Sequence, residues 1–87
     1  MNLLITDVLL MNEYAYTVVL EPESSGGFSV SVPALPGCFS QGETKEEAML
    51  NIQEAIALYV ETLQMDQRPV PPDIEGSPII ETVKVVA

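Results

Sequence analysis

The stretch that decides the fold is FSVSVPALPGCFSQGETKEEA, residues 28–48, which passes from a strand pattern to a helix pattern. Over residues 28–32 apolar and small polar side chains alternate strictly, as they do in a strand with one buried face. The alternation predicts that Phe28, Val30 and Val32 face the core, with the serines between them facing outward. This is the clearest strand pattern in the chain.

The segment before this stretch predicts a second strand. Residues 14–20 read YAYTVVL and are rich in the aromatic and β-branched side chains that strands favour. Residues 21–27 read EPESSGG, and proline, serine and paired glycine are typical of turns. The sequence therefore predicts a β-hairpin, one face of which must be covered by another element.

A helix predicted after residue 44 would cover this face of the hairpin. Thr44 followed by Glu47 is a capping box, in which the hydroxyl accepts one free amide and the carboxylate reaches back to another. Residues 45–64 contain no glycine or proline and are mostly good helix formers. At helical spacing they predict one broad apolar stripe. The stripe consists of Ala48, Ile52, Ala55, Ile56, Tyr59 and Leu63.

The remaining segments complete a single domain over residues 1–87. Residues 66–78 are a proline-rich connector, and residues 79–87 carry enough β-branched side chains for a final strand. Residues 1–13 are a variable extension that fits either a strand or a short helix. With residues 14–65 forming the hairpin, a short strand near Cys38 and the helix, the order is β-β-β-α-β. The predicted class is α+β, a small antiparallel sheet with one helix packed on it.

The charge balance excludes some partners. Thirteen acidic residues face three basic ones, for a net charge of −10, whereas nucleic-acid binding draws its affinity from lysine and arginine. We therefore expect no direct binding of nucleic acid, and no membrane span, because no apolar run approaches about 20 residues. One cysteine cannot form an internal disulfide, which favours a cytoplasmic protein. The hydrophobic content of 47% in so short a chain favours self-association.

Cys38 has two interpretations, as a nucleophile or as a small buried side chain. A nucleophilic cysteine needs a neighbouring base, normally histidine, and the chain contains no histidine. The sequence also lacks a second cysteine, a calcium-loop pattern and a phosphate-binding glycine loop. The sequence thus favours a structural Cys38 and predicts a protein with no catalytic residues, no metal and no cofactor.

The side of the helix opposite the stripe is the candidate contact surface. Glu47, Glu54 and Glu61 recur every seven residues and line up along it, with Leu50 and Leu58 between them. Acidic residues alone would be a solvated helix face, whereas leucines among them favour contact with another chain.

Residues 16–61 resemble the HicB-like antitoxin family of bacterial and archaeal toxin–antitoxin systems. The matching pieces are YTVVLEPE (16–23), GGFSVSVPALPGC (26–38), SQGETKEEA (40–48) and NIQEAIALYVE (51–61). The resemblance implies a partial ribonuclease H-like fold of three antiparallel strands, a helix and a further strand. The first strand lacks the central carboxylate that active ribonuclease H-like enzymes use, so the fold is expected without the chemistry.

The resemblance also implies a function, which is inhibition by binding. Such antitoxins cover the active site of a small basic HicA-like toxin that cleaves mRNA with a catalytic histidine, and they form dimers or tetramers. Many members carry a C-terminal DNA-binding module, which we do not expect in this protein, so operator binding is not expected either. A stand-alone homo-oligomeric scaffold or small-ligand domain without a toxin is the alternative. The predicted partner contacts are Glu47, Leu50, Glu54, Leu58, Glu61, Glu21 and Glu23.

Overall fold

The computed structural model describes residues 13–87, which form a three-stranded antiparallel sheet with one helix on one face. The strands lie in the order β1-β2-β3, so that chain neighbours are sheet neighbours. Their bounds, with those of the helix, are β1 Val19–Pro22, β2 Phe28–Ser31, β3 Phe39–Gly42 and α1 Lys45–Met65. The predicted α+β class is confirmed. The predictions for residues 1–12 lie outside the described residues.

The hairpin forms in the predicted place, but its first strand is shorter than predicted. Val19 lies opposite Ser31, and Pro22 lies opposite Phe28. The strand begins at Val19, whereas the pattern placed its start at residue 14. Continued by two residues, this register would set Thr17 opposite Pro33, and proline has no N–H to donate to a ladder. The Thr17 N–H donates instead to both carboxylate oxygens of Asp73 at 3.0 Å.

The core joins the inward face of the hairpin to the helix through the corner at residues 32–38. Its fully enclosed members are Val30, Val32, Leu35, Cys38, Ala48 and Ile52. The inward orientation predicted for Val30 and Val32 is confirmed, and Phe28 packs against the same cluster while remaining half-buried. Leu35, with no exposed surface, was not assigned to the core by periodicity because it lies in a turn.

The helix agrees with its predicted bounds to one residue, and it lies close against β3. Thr44 is the N-cap, and its Oγ1 accepts a hydrogen bond from the Glu47 N–H at 3.1 Å. Asn51 Nδ2 donates to the Gln41 carbonyl at 2.7 Å, which ties the second helical turn to β3. Farther along, the Tyr59 hydroxyl donates to the Pro36 carbonyl at 3.0 Å and fastens the helix to the corner.

The connector after the helix returns to the start of β1. The Tyr16 hydroxyl donates to the Pro71 carbonyl at 2.5 Å, and Thr17 Oγ1 donates to Asp73 Oδ2 at 2.8 Å. These bonds hold residues 71–73 beside the hairpin over a sequence separation of more than 50 residues.

The final strand predicted at residues 79–87 is absent from the described chain. Residues 77–87 pair with neither sheet edge, and all of their side chains are exposed. A strand is defined by a ladder to a neighbour, so β-branched residues alone do not form one. A bend at residues 75–76, with Gly76 at a φ of +74°, separates this segment from the anchored connector.

The Asp73 anchor predicts a pH dependence of folding. Accepting hydrogen bonds from the Thr17 N–H and hydroxyl lowers the pKa of Asp73 below its ordinary value of 3.8. A carboxyl whose pKa is lower in the folded state stabilises the fold above its unfolded pKa, and this contribution is lost as the pH falls through the folded pKa. Asp73→Asn should therefore unfold with a smaller difference in stability between pH 6 and pH 2.5 than the wild type, in urea titrations. Asp66→Asn is the control. An equal acid-induced loss of folding stability in the wild type and in Asp73→Asn would contradict a stabilising role for the Asp73 hydrogen bonds.

Candidate protein-binding surface

The outward side of α1 presents the five helical residues predicted to contact a partner. We call this surface the acidic ridge, and its members are Glu47, Leu50, Glu54, Leu58 and Glu61. All five are exposed, as predicted from their spacing. Seven residues advance a helix by about 10.5 Å, so the three carboxylates are spread along the helix at that interval.

Glu47, at the first turn, is committed to the helix cap. Its Oε1 accepts a hydrogen bond from the Glu43 N–H at 3.3 Å, while its own N–H donates to Thr44 Oγ1. The hydroxyl half of the predicted capping box therefore forms, whereas the Glu47 carboxylate accepts from the residue before the cap and not from the Thr44 N–H. A negative charge at a helix N-terminus is also favoured by the helix dipole. Glu47 thus has a structural reason to be acidic, independent of any partner.

The other two carboxylates of the ridge have no such structural reason. Glu54 lies in the middle of the helix, and Glu61 lies near the C-terminal end, where the helix dipole disfavours an anion. The last turn contains no basic residue that would compensate for Glu61. The stability of the helix therefore does not account for these acids, which favours a role in contacting another molecule.

The leucines of the ridge are exposed to a similar degree. Leu50 is 64% exposed and Leu58 is 65% exposed, on the same side of the helix as the carboxylates. Met65, at 76%, extends the apolar surface to the end of the helix. Single exposed leucines are common, but apolar side chains repeated along one charged face are typical of a protein contact.

Two grooves flank the ridge, and sequence reasoning found neither. The groove on the β1 side, which we call the apolar groove, lies between the helix and the residues that lead into β1, Tyr16 and Val18. It is lined by Tyr16, Val18, Met49, Leu50, Ile52 and Ile56, with Lys45, Glu46 and Gln53 at its margin. It exists because the helix packs on β3 and β2 and leaves β1 at the side.

The second groove lies on the β3 side, toward the end of the helix. Phe39, Leu58, Tyr59 and Arg68 are among its lining residues. Phe39 is 72% exposed, a high value for a phenylalanine next to the core residue Cys38. Strand alternation could have identified it, because a buried Cys38 directs the next side chain outward.

The two acids predicted in the hairpin lie in different places. Glu23 lines a polar groove at the start of the helix together with Glu43 and Glu47, so it adjoins the end of the ridge. Glu21 does not, because its neighbour Leu20 packs against the core and alternation turns Glu21 to the face of the sheet away from the helix. The seven predicted contacts therefore form one surface of six residues and one separate residue.

Cys38 is buried, with 5% of its surface exposed. Burial raises the pKa of its thiol, which disfavours the reactive thiolate. Its N–H donates to the Leu35 carbonyl at 3.0 Å, and its carbonyl accepts from the Val32 N–H at 3.1 Å. The predicted burial of Cys38 is confirmed, and its two backbone hydrogen bonds close the corner between β2 and β3.

Within residues 13–87, no three histidine, cysteine, aspartate or glutamate side chains are grouped so that they could hold a metal ion. The same part of the chain has no helix with the length and apolar character needed to cross a membrane.

The chain is similar to a described family and to several known proteins. Residues 16–84 match the profile of the family described as HicB-like antitoxin of bacterial toxin–antitoxin system. A UPF0150 protein of Thermoplasma acidophilum is 50% identical over 58 residues, which cover 67% of this chain and 84% of the relative. A UPF0150 protein of Synechocystis is 55% identical over 58 residues, 67% of this chain and 73% of the relative. Antitoxin HicB 1 of Photorhabdus laumondii is 34% identical over 62 residues, which cover 71% of this chain and 40% of that protein.

Proposed function

Because the chain belongs to the HicB-like antitoxin family, we propose that it binds a small, basic, mRNA-cleaving HicA-like toxin and neutralises it by covering the toxin's active site. The observation that carries the proposal is the acidic ridge, whose Glu54 and Glu61 lie outside the first helical turn, where the helix dipole would favour an acid. We place this interaction in the cytoplasm.

Charge complementarity supports a basic partner. An RNA-cleaving protein must attract phosphate, so its active-site face carries positive charge. A chain with a net charge of −10 is attracted to the same face and competes there with RNA. The ridge supplies carboxylates at intervals of about 10.5 Å, each able to pair with a lysine or arginine of the partner.

The apolar residues of the acidic ridge slow the dissociation of the complex. Long-range charge attraction mainly accelerates association, whereas desolvated apolar contacts slow dissociation. Leu50 and Leu58 lie between the carboxylates, where burial against a partner would remove both from water. Inhibition then needs only steric exclusion of RNA from the toxin, and no reaction occurs on this chain.

The proposal is tested in two steps. The chain is first used to capture proteins from its native lysate, washed at low and then at high salt, and the bound proteins are identified by mass. We expect a small basic protein that contains histidine, retained at low salt and released at high salt. The purified partner is then incubated with RNA, and an equimolar amount of the chain should abolish cleavage.

Two outcomes would contradict the proposal. Recovery of the chain alone at either salt concentration would favour a homo-oligomeric scaffold or a small-ligand domain. A captured protein whose RNA cleavage continues undiminished in the complex would exclude neutralisation by covering the active site.

A further inference from the structure

The second groove, which we call the β3-side groove, contains the most exposed aromatic side chain of the described chain. Phe39, the first residue of β3, is 72% exposed. The chain has only one other phenylalanine, Phe28, and that one packs against the core. A phenylalanine ring exposes a large apolar area to water, and such rings are typical anchors of protein contacts. The exposure of Phe39 therefore favours contact with another molecule.

The helix supplies the opposite wall of the β3-side groove. Leu58 and Thr62, one turn apart, line this wall together with the half-buried Tyr59. Leu58 is 65% exposed and belongs both to this groove and to the acidic ridge, so the two surfaces are continuous. An apolar side chain seated in the groove would cover Phe39 and Leu58 together and remove both from water.

The groove is held in shape by hydrogen bonds within the domain. Phe39 belongs to the ladder that β3 makes with β2, and the N–H of the preceding Cys38 donates to the Leu35 carbonyl at 3.0 Å. The Tyr59 hydroxyl donates to the Pro36 carbonyl at 3.0 Å, which joins the helix wall to the same corner. Because the groove is already formed in the free protein, an occupant need not provide the entropy of ordering it.

The described chain beyond the helix leads away from this groove. Arg68 still lines the groove, but Pro71 and Asp73 already accept hydrogen bonds from Tyr16 and Thr17 beside β1. The strands β1 and β3 lie at opposite edges of the three-stranded sheet, so the connector crosses to the other side of the domain. The connector therefore does not cover the β3-side groove, and an occupant from another molecule is favoured.

The charges around Leu58 indicate the chemistry of the occupant. Residues three and four positions apart are neighbours on a helix surface, so Glu54 and Glu61 lie on either side of Leu58. Asp66 lines the groove at the end of the helix, where Arg68 is the one base among the lining residues. Three carboxylates and one guanidinium leave the surroundings of the groove negative. An apolar side chain that enters here is therefore best accompanied by lysine or arginine.

We propose that the β3-side groove is the anchor site for the toxin, and that it receives one aromatic or large aliphatic side chain flanked by lysine or arginine. The inference rests on the proposed function, because it assigns the docking of the toxin to one position on this domain. The arrangement is that of an interface hot spot, in which an apolar contact is surrounded by charged pairs that exclude water from it. Phe39 and Leu58 form the apolar contact, and Glu54 and Glu61 form the charged surround.

The first experiment measures the affinity of the full chain for the captured toxin by calorimetric titration at low and at high salt. Phe39→Ala should raise the dissociation constant about 30-fold, as loss of a hot-spot residue does. The factor should be the same at both salt concentrations, because an apolar contact is not screened. The melting temperature should be unchanged, because the exposed ring is not part of the core. Met49→Ala, in the apolar groove on the other side of the helix, is the matched control and should change the affinity less than about 3-fold.

The outcomes separate this inference from the proposed function. An affinity of Phe39→Ala equal to that of Met49→Ala, with RNA cleavage still abolished, would overturn the anchor site and leave neutralisation of the toxin standing. Failure to capture any basic partner would overturn the proposed function, and the anchor site with it. A wild-type dimer that becomes a single chain in Phe39→Ala by light scattering, with unchanged toxin affinity, would show that a second copy occupies the groove instead.

The second experiment identifies the toxin residue that enters the groove. The photoreactive amino acid p-benzoylphenylalanine is incorporated in place of Phe39, the complex is irradiated, and the crosslinked peptide is sequenced by mass spectrometry. We expect attachment to an aromatic or large aliphatic residue with lysine or arginine close to it on both sides. The same amino acid in place of Met49 is the control and should yield no crosslink to the toxin. Attachment to an acidic or uncharged segment, or equal yields from the two positions, would overturn the proposal.

Discussion

Gly42→Ala is expected to lower the melting temperature by roughly 12–24 °C, which corresponds to about 3 kcal/mol in a domain of this size. A Cβ at this position would overlap the Ala48 nitrogen and lie 2.8 Å from the Glu47 carbonyl carbon. Both are backbone atoms of the first helical turn, so no side-chain rotation relieves the clash. The φ of Gly42 is not left-handed, and the effect is therefore one of space alone.

The consequence extends beyond the glycine, because the helix must move away from β3 to admit the methyl group. Ala48, which has no exposed surface, would be withdrawn from the core, and the bond from Asn51 Nδ2 to the Gln41 carbonyl would lengthen. Gln41→Ala, at the exposed neighbouring position, is the matched control and should change the stability by no more than about 0.5 kcal/mol. Thermal unfolding followed by circular dichroism measures both. Equal melting temperatures would show that the helix lies farther from β3 than the structure places it.

The elements that carry a strong local pattern could be predicted from the sequence. The alternation over residues 28–32 predicted the inward Val30 and Val32, and the capped run after Thr44 predicted the helix to within one residue. Both patterns repeat over several residues, so each position reports the same face. The family resemblance over residues 16–61 was predicted from the same stretches and is confirmed by the match over residues 16–84.

The features that depend on long-range contact could not be predicted. Where β1 would continue toward Pro33, the Thr17 amide donates instead to Asp73, which is 56 residues away in the sequence. Leu35 lies in a turn and Val60 lies near the end of the helix, and both are buried. Their burial depends on which other parts of the chain pack over them, and local periodicity does not report this. The sequence likewise could not show that Glu21 lies apart from the acidic ridge. The charge of a residue does not indicate which face of the sheet carries its side chain.

Reversing the charge of the acidic ridge should weaken binding of the toxin more than any other surface change. Glu54→Lys combined with Glu61→Lys is expected to raise the dissociation constant about 100-fold at low salt, or about 2.7 kcal/mol, since it replaces two attractive pairs with repulsive ones. The loss should shrink as salt is added, because exposed charges are screened. The measurement is calorimetric titration with the captured basic partner at two salt concentrations.

The design separates binding from folding, because the helix cap uses Glu47 and not Glu54 or Glu61. Lysine near the C-terminus of the helix interacts favourably with the helix dipole, so the melting temperature should stay unchanged or rise slightly. Glu47 is left intact, since its carboxylate accepts from the Glu43 N–H and its loss would weaken the cap. Glu21→Lys, compared with the single Glu54→Lys, makes the same change in net charge on the opposite face and should alter the affinity less than about 3-fold. Equal losses of affinity from these two single substitutions would mean that binding depends only on the total charge of −10. The acidic ridge would then not be the docking surface.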